Sequence, residues 1–407
     1  MRDYYLETRE FWLINLGSQL KNPTLLRIDI NVPVVEGKIV ENSYRLNIYS
    51  DIVRLLSEYT GLVLVAHQGR RGQKDFIPLK QHWIVLRKLL PMDIDIEYIP
   101  YQKMFSEETK RKIRSLEPGK VLLLDNIRMM DEETSFKPEN SIYIKFFKGL
   151  VNSCVNDAIP VWHRPHTSIM ALPYISKTYV GIRSVLELKT LKEVLDNKNV
   201  GVSLLMGGAK LAKISYLMNI LKWAKGFTGG IPGQLLAYVD GHDLNPVNNK
   251  FLERRFPIDV FEDAKALLKK FDVKYPKDFV IIENGEAKEV SLKEISKTDG
   301  VIMDIGSETV EWYAQLMETD QIRIRAGPLG VFERGFTNGI KLTKMISGTG
   351  LIFLGGDTTA EITMYGLDRM IQNTGGILCV SGGSFLHGMA GENYPSIDML
   401  LELQSPT

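Results

Sequence analysis

The feature that most constrains this chain is alternation. Short apolar runs of β character are separated, over most of the 407 residues, by segments with helical spacing. In the first half the runs are Leu25–Ile30, Leu62–Ala66, Ile94–Ile99, Val121–Asp125 and a short stretch near Val151–Ala158. Helical patterns lie between them at Tyr44–Tyr59, Leu79–Leu90 and Ser106–Leu116. The last has a serine cap, Glu107 and Glu108 in its first turn, and Pro118-Gly119 to stop it. The second half repeats the plan, with strands at Val202–Met206, Phe279–Ile282, Val301–Ile305, Ile322–Ile324, Leu351–Leu354 and Ile377–Val380. Helices are expected at Ser307–Met317 and Thr358–Gln372, the latter closed by Gly375-Gly376. Apolar runs of this kind need burial on both faces, which a parallel sheet between two helix layers provides. The pattern predicts an α/β chain of two doubly wound parallel-sheet (Rossmann-like) domains, 1–179 and 198–388, joined by a hinge helix at 180–197. Residues 389–407 are expected to return to the N-terminal domain.

Composition adds exclusions. With 44% hydrophobic and 24% charged residues the chain is globular, and its net charge of +1 offers no field for nucleic acid or membrane. Residues 1–180 hold 25 Lys and Arg against 21 Asp and Glu, a net of +4, which leaves −3 for the remainder. A mildly basic first half suits a small anionic ligand. Cys154 and Cys379 are the only cysteines and form no CxxC or Cys/His cluster, which argues against a disulfide scaffold or structural zinc. The N-terminus lacks a signal-peptide core and no apolar run reaches membrane-spanning length. A soluble, cytoplasmic monomer is the expectation.

In parallel α/β sheets ligands bind beyond the carboxyl ends of the strands. In the first half those positions carry one chemistry: Asp29 and Asn31 ahead of Pro33; His67 and Arg70; Asn126 and Arg128; Asn156, Asp157, His163, Arg164 and His166. After a turn at Glu36-Gly37-Lys38, a helix starting behind Asn42 or Ser43 puts Arg45 in its first turn. A cation is disfavoured there by the helix dipole, so an anion is expected in front of it. Taken singly, each of these residues reads as a solvated charge or a structural histidine. Together they form a rim suited to a phosphorylated carboxylic acid, because guanidinium forks bind phosphate and carboxylate bidentately.

The second-half strand ends are glycine-rich: Gly207–Lys213, Thr228–Gln234, Ala326–Glu333, Leu354–Glu361 and Ser381–Phe385. One Gly-Gly pair is an ordinary βα turn, but several on one sheet let backbone N–H groups approach a phosphate or a purine ring. Gly355-Gly356-Asp357-Thr358 lies directly between strand and helix, the place for a triphosphate, with Asp357 in reach of its Mg²⁺. There is no Walker A pattern and no GxGxxG opening a helix after a strand.

With these residues assembled, the chain resembles the phosphoglycerate kinase family along nearly its whole length. The resemblance is carried by RIDINVP, AHQGR, DNIRM, VNDAIPVWHRPH, GGAK, DIGSETVEWY, GPLGVFE, GGDTT and the terminal SGG, in family order. It implies that Asp29, Asn31, His67, Arg70, Arg128 and Arg164 hold 3-phosphoglycerate, and that Arg45 faces the phosphoryl group in flight. It also implies that Lys210 or Lys213, with Gly355, Gly356, Asp357, Thr358 and Gly382, holds and neutralises the phosphates of ATP or ADP. Asp357 would sit at Mg²⁺ and Glu333 on the ribose hydroxyls. The implied reaction is reversible, direct in-line phosphoryl transfer between MgATP and the carboxylate of 3-phosphoglycerate after domain closure. Three departures fall in the second half. Lys210 and Lys213 are three apart where the family has four, a spacing still expected to keep both on one helix face. Ala326 stands where the family often has Asn, and two glycines follow Ser381 in place of three. A kinase for another phosphorylated acid and a silent, ligand-binding paralogue are the competing readings.

Overall fold

The protein is described here from a computed structural model, which defines residues 3–209 and 211–405. By internal packing the chain forms two compact units: one runs to Lys192 and takes up the chain again from Glu392, and the other is Glu193–Gly391.

In the first unit the strands β1 (Thr24–Arg27), β4 (Leu62–Val65), β5 (Asp95–Ile99), β6 (Lys120–Leu124), β7 (Ser153–Asn156) and β8 (Thr178–Val180) make one sheet, in the order β5-β6-β4-β1-β7-β8. Its pairings are all parallel, with Leu25 level with Val63 on one side and Cys154 on the other. Alternate strand residues feed two separate cores. Leu26, Leu62, Leu64, Leu123 and Val155 face one layer, while Leu25, Val63, Val65, Leu122 and Cys154 face the other. The chain adds β4, β5 and β6 on one side of β1 and β7 and β8 on the other, so strand order switches beside β1 and the crevice of the sheet lies at those carboxyl ends. Between β1 and the helix Tyr44–Ser57 a small hairpin, β2 (Val34–Val35) and β3 (Lys38–Ile39), turns through Glu36 and Gly37, both at positive φ. Leu46, Tyr49, Val53 and Leu56, at helical spacing, fix the buried face of that helix. The terminal helix Pro395–Gln404 belongs to this unit: Gln404 Nε2 donates to Pro173 O and Ser176 O, each at 2.9 Å.

In the second unit β9 (Val202–Met206), β10 (Lys225–Thr228), β11 (Val273–Lys274), β15 (Ile322–Ala326), β16 (Leu351–Leu354) and β17 (Ile377–Cys379) form a parallel sheet in the order β11-β10-β9-β15-β16-β17. This is the 3-2-1-4-5-6 doubly wound order, with its switch point between β9 and β15. The expected α/β architecture with two parallel sheets therefore holds.

Two expectations need correction. The runs at Phe279–Ile282 and Val301–Ile305 do not join the parallel sheet. They lie in β12 (Asp278–Glu283) and β14 (Val301–Ile305), which with β13 (Glu286–Ser291) form a separate antiparallel sheet. The cause is local: Asn284 and Gly285 both take positive φ and fold β12 back on β13. Thr358–Gln372 is not one helix but two, Gly356–Met364 and Asp368–Asn373, because Gly366 turns left-handed between them.

The second unit buries one ion pair completely. Arg325 on β15 meets Glu361, each side chain 1% exposed, and Arg325 also donates to Gly339 O at 3.1 Å and Thr343 Oγ1 at 2.6 Å. Removing one partner strands the other in an apolar interior, so Glu361→Ala is expected to cost about 3–5 kcal/mol in urea unfolding. The double variant Arg325→Met/Glu361→Leu should cost less than Glu361→Ala alone; a larger loss would mean the pair is net stabilising.

Candidate functional site

The carboxyl ends of β1, β4 and β6 are tied together by their own side chains. Asp29 accepts from the Asn31 backbone N–H at 2.9 Å and from Arg45 Nη1 at 3.0 Å. The same Arg45 nitrogen donates to Asn31 O at 2.7 Å. Asn31 Oδ1 accepts from Gly69 N at 2.8 Å, and Gln68 clamps Val32 with one bond at each amide atom, 3.0 and 2.9 Å. Gly69 takes φ +64°, and a Cβ there would lie 2.2 Å from Asp75 O, so only glycine allows this closeness. Arg128 donates to Gly69 O from the next strand end.

Arg45 is thus only 7% exposed, so the reading of it as a solvated surface arginine does not hold. The anion in front of it within the chain is Asp29. Arg128 is equally buried, and desolvation followed by the nearby Arg164 and Arg27 charges pulls its pKa down to about 10. His67 is pushed well below the ordinary imidazole range by burial, then by Arg128, Arg27, His166 and Arg45. His166 falls to about 3 from burial, then from Arg128, Arg27, Arg164 and His163. Crowded guanidinium groups at a strand rim are relieved by an anion, and their forks suit carboxylate and phosphate. The structure therefore brings Asp29, Asn31, Arg45 and Arg128 into one network, with His67 near enough to feel Arg128 and Arg45 and Arg164 close enough to act on Arg128. Arg70 is exposed beside Gly69 and outside that network.

Sequence reasoning missed Arg27 as part of this site. It is fully buried, donates from Nε to Ser168 Oγ at 2.9 Å, and lies 3.1 Å through Nη2 from His67 Nδ1. A charged residue inside the apolar run LLRIDI was the available signal. Glu133, also buried, had no such signal; it takes hydrogen bonds from Ser168 N at 2.9 Å and Ser168 Oγ at 2.8 Å.

In the second unit the glycine turns approach backbone to backbone around the switch point. Gly207 N donates to Ala326 O at 2.9 Å, Gly230 N to Leu329 O at 2.8 Å, and Gly327 N to Thr358 Oγ1 at 2.8 Å. A Cβ on Gly207 would meet Pro328 O at 2.2 Å, and one on Gly382 would meet Gly355 Cα at 3.2 Å. A cleft of about 350 Å³ lies here, lined among others by Gly208, Phe251, Met303, Leu329, Glu333 and Asp357. Apolar walls with a few polar groups at the mouth suit a heterocycle with a charged tail. Gly355 and Asp357 open the helix Gly356–Met364, so backbone N–H groups and the dipole favour phosphate there. Lys213 departs from expectation: it is the N-cap of the helix Ile214–Ile220 and precedes its helical face, with Nζ 5.2 Å above the Tyr216 ring. Lys210 lies outside the described residues. No group of three or more His, Cys, Asp or Glu able to hold a metal occurs among the described residues. A single carboxylate such as Asp357 beside a phosphate-binding turn is what Mg²⁺ needs when phosphates supply its other ligands.

The fold and these strand ends define a two-unit α/β protein with a guanidinium-rich rim on one sheet and a glycine-lined crevice on the other, an arrangement consistent with the kinase class. The family model for phosphoglycerate kinase matches residues 18–392. The phosphoglycerate kinase of Saccharolobus solfataricus is 31% identical over 389 residues, covering 92% of this chain and 93% of that one. That of Pyrococcus abyssi is 29% identical over 394 residues, with 92% and 93% covered. The crystal structure of phosphoglycerate kinase from Pyrococcus horikoshii OT3 superposes with a TM-score of 0.86 at 28% identity, over 96% of this chain and 98% of that one. The chain belongs to the phosphoglycerate kinase family, and with it to the kinases of glycolysis.

Three carboxyl groups near these crevices carry raised pKa values, burial being the first cause in each: Glu133 to about 7, Asp157 to about 6 and Asp304 to about 7. A carboxyl raised in the folded state makes the native protein bind more protons than the unfolded chain between the two pKa values. Its contribution is favourable below the unfolded value and is lost as pH rises through the folded one. Stability should therefore fall between about pH 5 and about pH 8, with Glu133 accounting for at most about 3 kcal/mol. Urea midpoints measured against pH should give a flatter slope for Glu133→Gln than for wild type; an unchanged slope would remove Glu133 as a source.

Proposed function

We propose that this chain catalyses reversible transfer of the γ-phosphoryl group of MgATP to the carboxylate of 3-phosphoglycerate, giving 1,3-bisphosphoglycerate and MgADP, a phosphotransfer with a carboxyl acceptor. The observation that carries this reading is the hydrogen-bonded rim of Asp29, Asn31, Arg45 and Arg128 on the first sheet, with His67 close enough to feel the Arg128 and Arg45 charges. Neither a nucleotide-only protein nor a dinucleotide enzyme needs such a rim.

In this reading His67, Arg70, Arg128 and Arg164 hold the anionic ends of 3-phosphoglycerate, and Asp29 and Asn31 set the loop and the Arg45 guanidinium. Arg45 stabilises charge on the transferring oxygens. Glu333 takes the ribose hydroxyls, and Gly355, Gly356, Thr358 and Gly382 present backbone and hydroxyl groups to the nucleotide phosphates. Lys210 and Lys213 neutralise those phosphates. Asp357 would hold Mg²⁺, which would supply positive charge to offset that of the nucleotide phosphates. No residue is asked to carry the phosphoryl group, so transfer is direct and in line, resting on positioning and charge stabilisation. Residues 1–179 would act as the acid domain, 198–388 as the nucleotide domain, 180–197 as the hinge and 389–407 as a segment of the first. Closure about the hinge would bring the substrates together and exclude water. The compact units, with Glu392 onward packed in the first, support this division. A cytoplasmic monomer remains the proposed state; no helix among the described residues is long and apolar enough to cross a membrane.

The test is turnover of MgATP with 3-phosphoglycerate, coupled to a dehydrogenase that consumes 1,3-bisphosphoglycerate. Wild type should be active, and Arg45→Ala should lose about 10²-fold or more in kcat with nucleotide KM little changed. Binding of both ligands by wild type without turnover would overturn the kinase reading in favour of a sensor. Turnover restricted to a different phosphorylated acid would replace the substrate alone.

A further inference from the structure

Behind the rim runs a buried chain of hydrogen bonds that the proposed reaction does not by itself require. Glu133 accepts from Ser168 Oγ at 2.8 Å; Ser168 Oγ accepts from Arg27 Nε at 2.9 Å; Arg27 Nη2 stands 3.1 Å from His67 Nδ1. None of the four residues is more than 2% exposed. Arg27 is further fixed by donation from Nη1 to Ile28 O.

The chemistry of these groups leaves one reading of the direction of the bonds. A guanidinium has five N–H donors and no acceptor. His67 Nδ1 must therefore accept, and the ring must carry its proton on Nε2. Ser168 Oγ accepts from Arg27 Nε whichever form Glu133 takes, and its one hydroxyl hydrogen goes to Glu133 when that carboxyl is ionised, so the titration of Glu133 leaves the Arg27–His67 contact in the same sense. We propose that Arg27, itself anchored by Ser168 and Glu133, is a positioning residue that fixes His67 as the Nε2–H tautomer, so that His67 serves the substrate as a directed hydrogen-bond donor. The positive charge of the site then resides on its arginines.

The surroundings act in the same sense. The charged and titratable groups that face His67 are Arg128, Arg27, His166 and Arg45, and all oppose a second proton on the ring. His166 Nδ1 is 3.7 Å from Glu133 Oε1, outside hydrogen-bond reach, so Glu133 remains committed to Ser168. The donor role of His67 is accordingly constant through the neutral pH range, unlike that of an imidazolium. That His67 meets 3-phosphoglycerate rests on the function proposed above; the tautomer does not.

Long-range ¹H–¹⁵N spectra of the full chain labelled at histidine would read the tautomer directly, with His67→Gln identifying the signal. The expected pattern is a pyridine-like Nδ1 and a pyrrole-like Nε2, unchanged from about pH 6 to about pH 8. A pyrrole-like Nδ1, or a ring that titrates in that window, would overturn the proposal. In Arg27→Met the ring should become a tautomer mixture. Should that variant fail to fold, Ser168→Ala, a smaller change, should shift the same signals, and the wild-type spectrum stands as a test in itself. In turnover, His67→Gln places an amide N–H near Nε2 and His67→Asn places one near Nδ1. KM for 3-phosphoglycerate should be about 10-fold or more higher in the Asn variant, the size of one lost hydrogen bond to a charged group, with nucleotide KM unchanged. Equal KM values would count against the donor role. Absence of 3-phosphoglycerate turnover with the expected spectrum would remove the function proposed above and leave the assignment of Arg27 intact.

Discussion

A parallel sheet covered on both faces leaves little room for polar chemistry except at the ends of its strands, and both units are organised by that constraint. Successive residues of β1, β4, β6 and β7 alternate between two apolar layers, so their side chains are consumed by packing. Residues just past the strands face neither layer and must satisfy their backbone groups from neighbouring strand ends. Asn31 on Gly69, Gln68 on Val32 and Arg128 on Gly69 do this in the first unit. In the second the backbone does most of it, through Gly207 and Gly230, with Gly327 N donating to the Thr358 hydroxyl. The crevice is a consequence of the sheet, and its chemistry follows from which residues close it.

The two closures differ in a way that matters for ligand type. The strand ends of the first unit carry buried titratable side chains, and burial makes their charge costly: Arg128 and His67 are both driven toward their neutral forms. Such a rim is selective for an anion that can compensate several guanidinium groups at once. Glycines in the second unit place bare peptide N–H groups and a helix N-terminus at the ligand, which discriminates less by charge and more by shape. The apolar cleft beside them, walled by Phe251, Met303 and Leu329, suits a flat ring system.

Much of this was legible in the sequence, because most strands of both parallel sheets are apolar runs bounded by turn residues and the rim residues follow them directly. What was not legible had specific causes. Residues 278–305 contain strand-like runs as strong as the others, and only the Asn284-Gly285 turn distinguishes an antiparallel hairpin from a parallel strand with a crossover. β10 begins at Lys225 and carries Gly226, and β11 has two residues, so neither shows a clear apolar run. Arg27 lies inside a run that reads as an apolar strand, yet it is held inside the sheet by Ser168, 141 residues away in sequence, and by His67. Spacing along the chain carries no information about such a pairing.

The departures from the family pattern can be weighed on the same physical terms. They fall on the second unit, where backbone geometry does most of the work, and spare the first, whose strand ends are closed by side chains. Ala326 ends β15 with its carbonyl engaged by Gly207 N, so the bond that closes the crevice there is a backbone one and survives the loss of an amide side chain. The shortened lysine segment is less neutral. At the N-cap of its helix, Lys213 is exposed and sits where the helix dipole is unfavourable to a cation. Its only close ring partner among the described residues is Tyr216. A lysine so placed is weakly held by the protein and free to follow an anion. If nucleotide phosphates are that anion, the shortened spacing costs pre-organisation on this side of the reaction while the acid rim, fixed by buried hydrogen bonds, retains it.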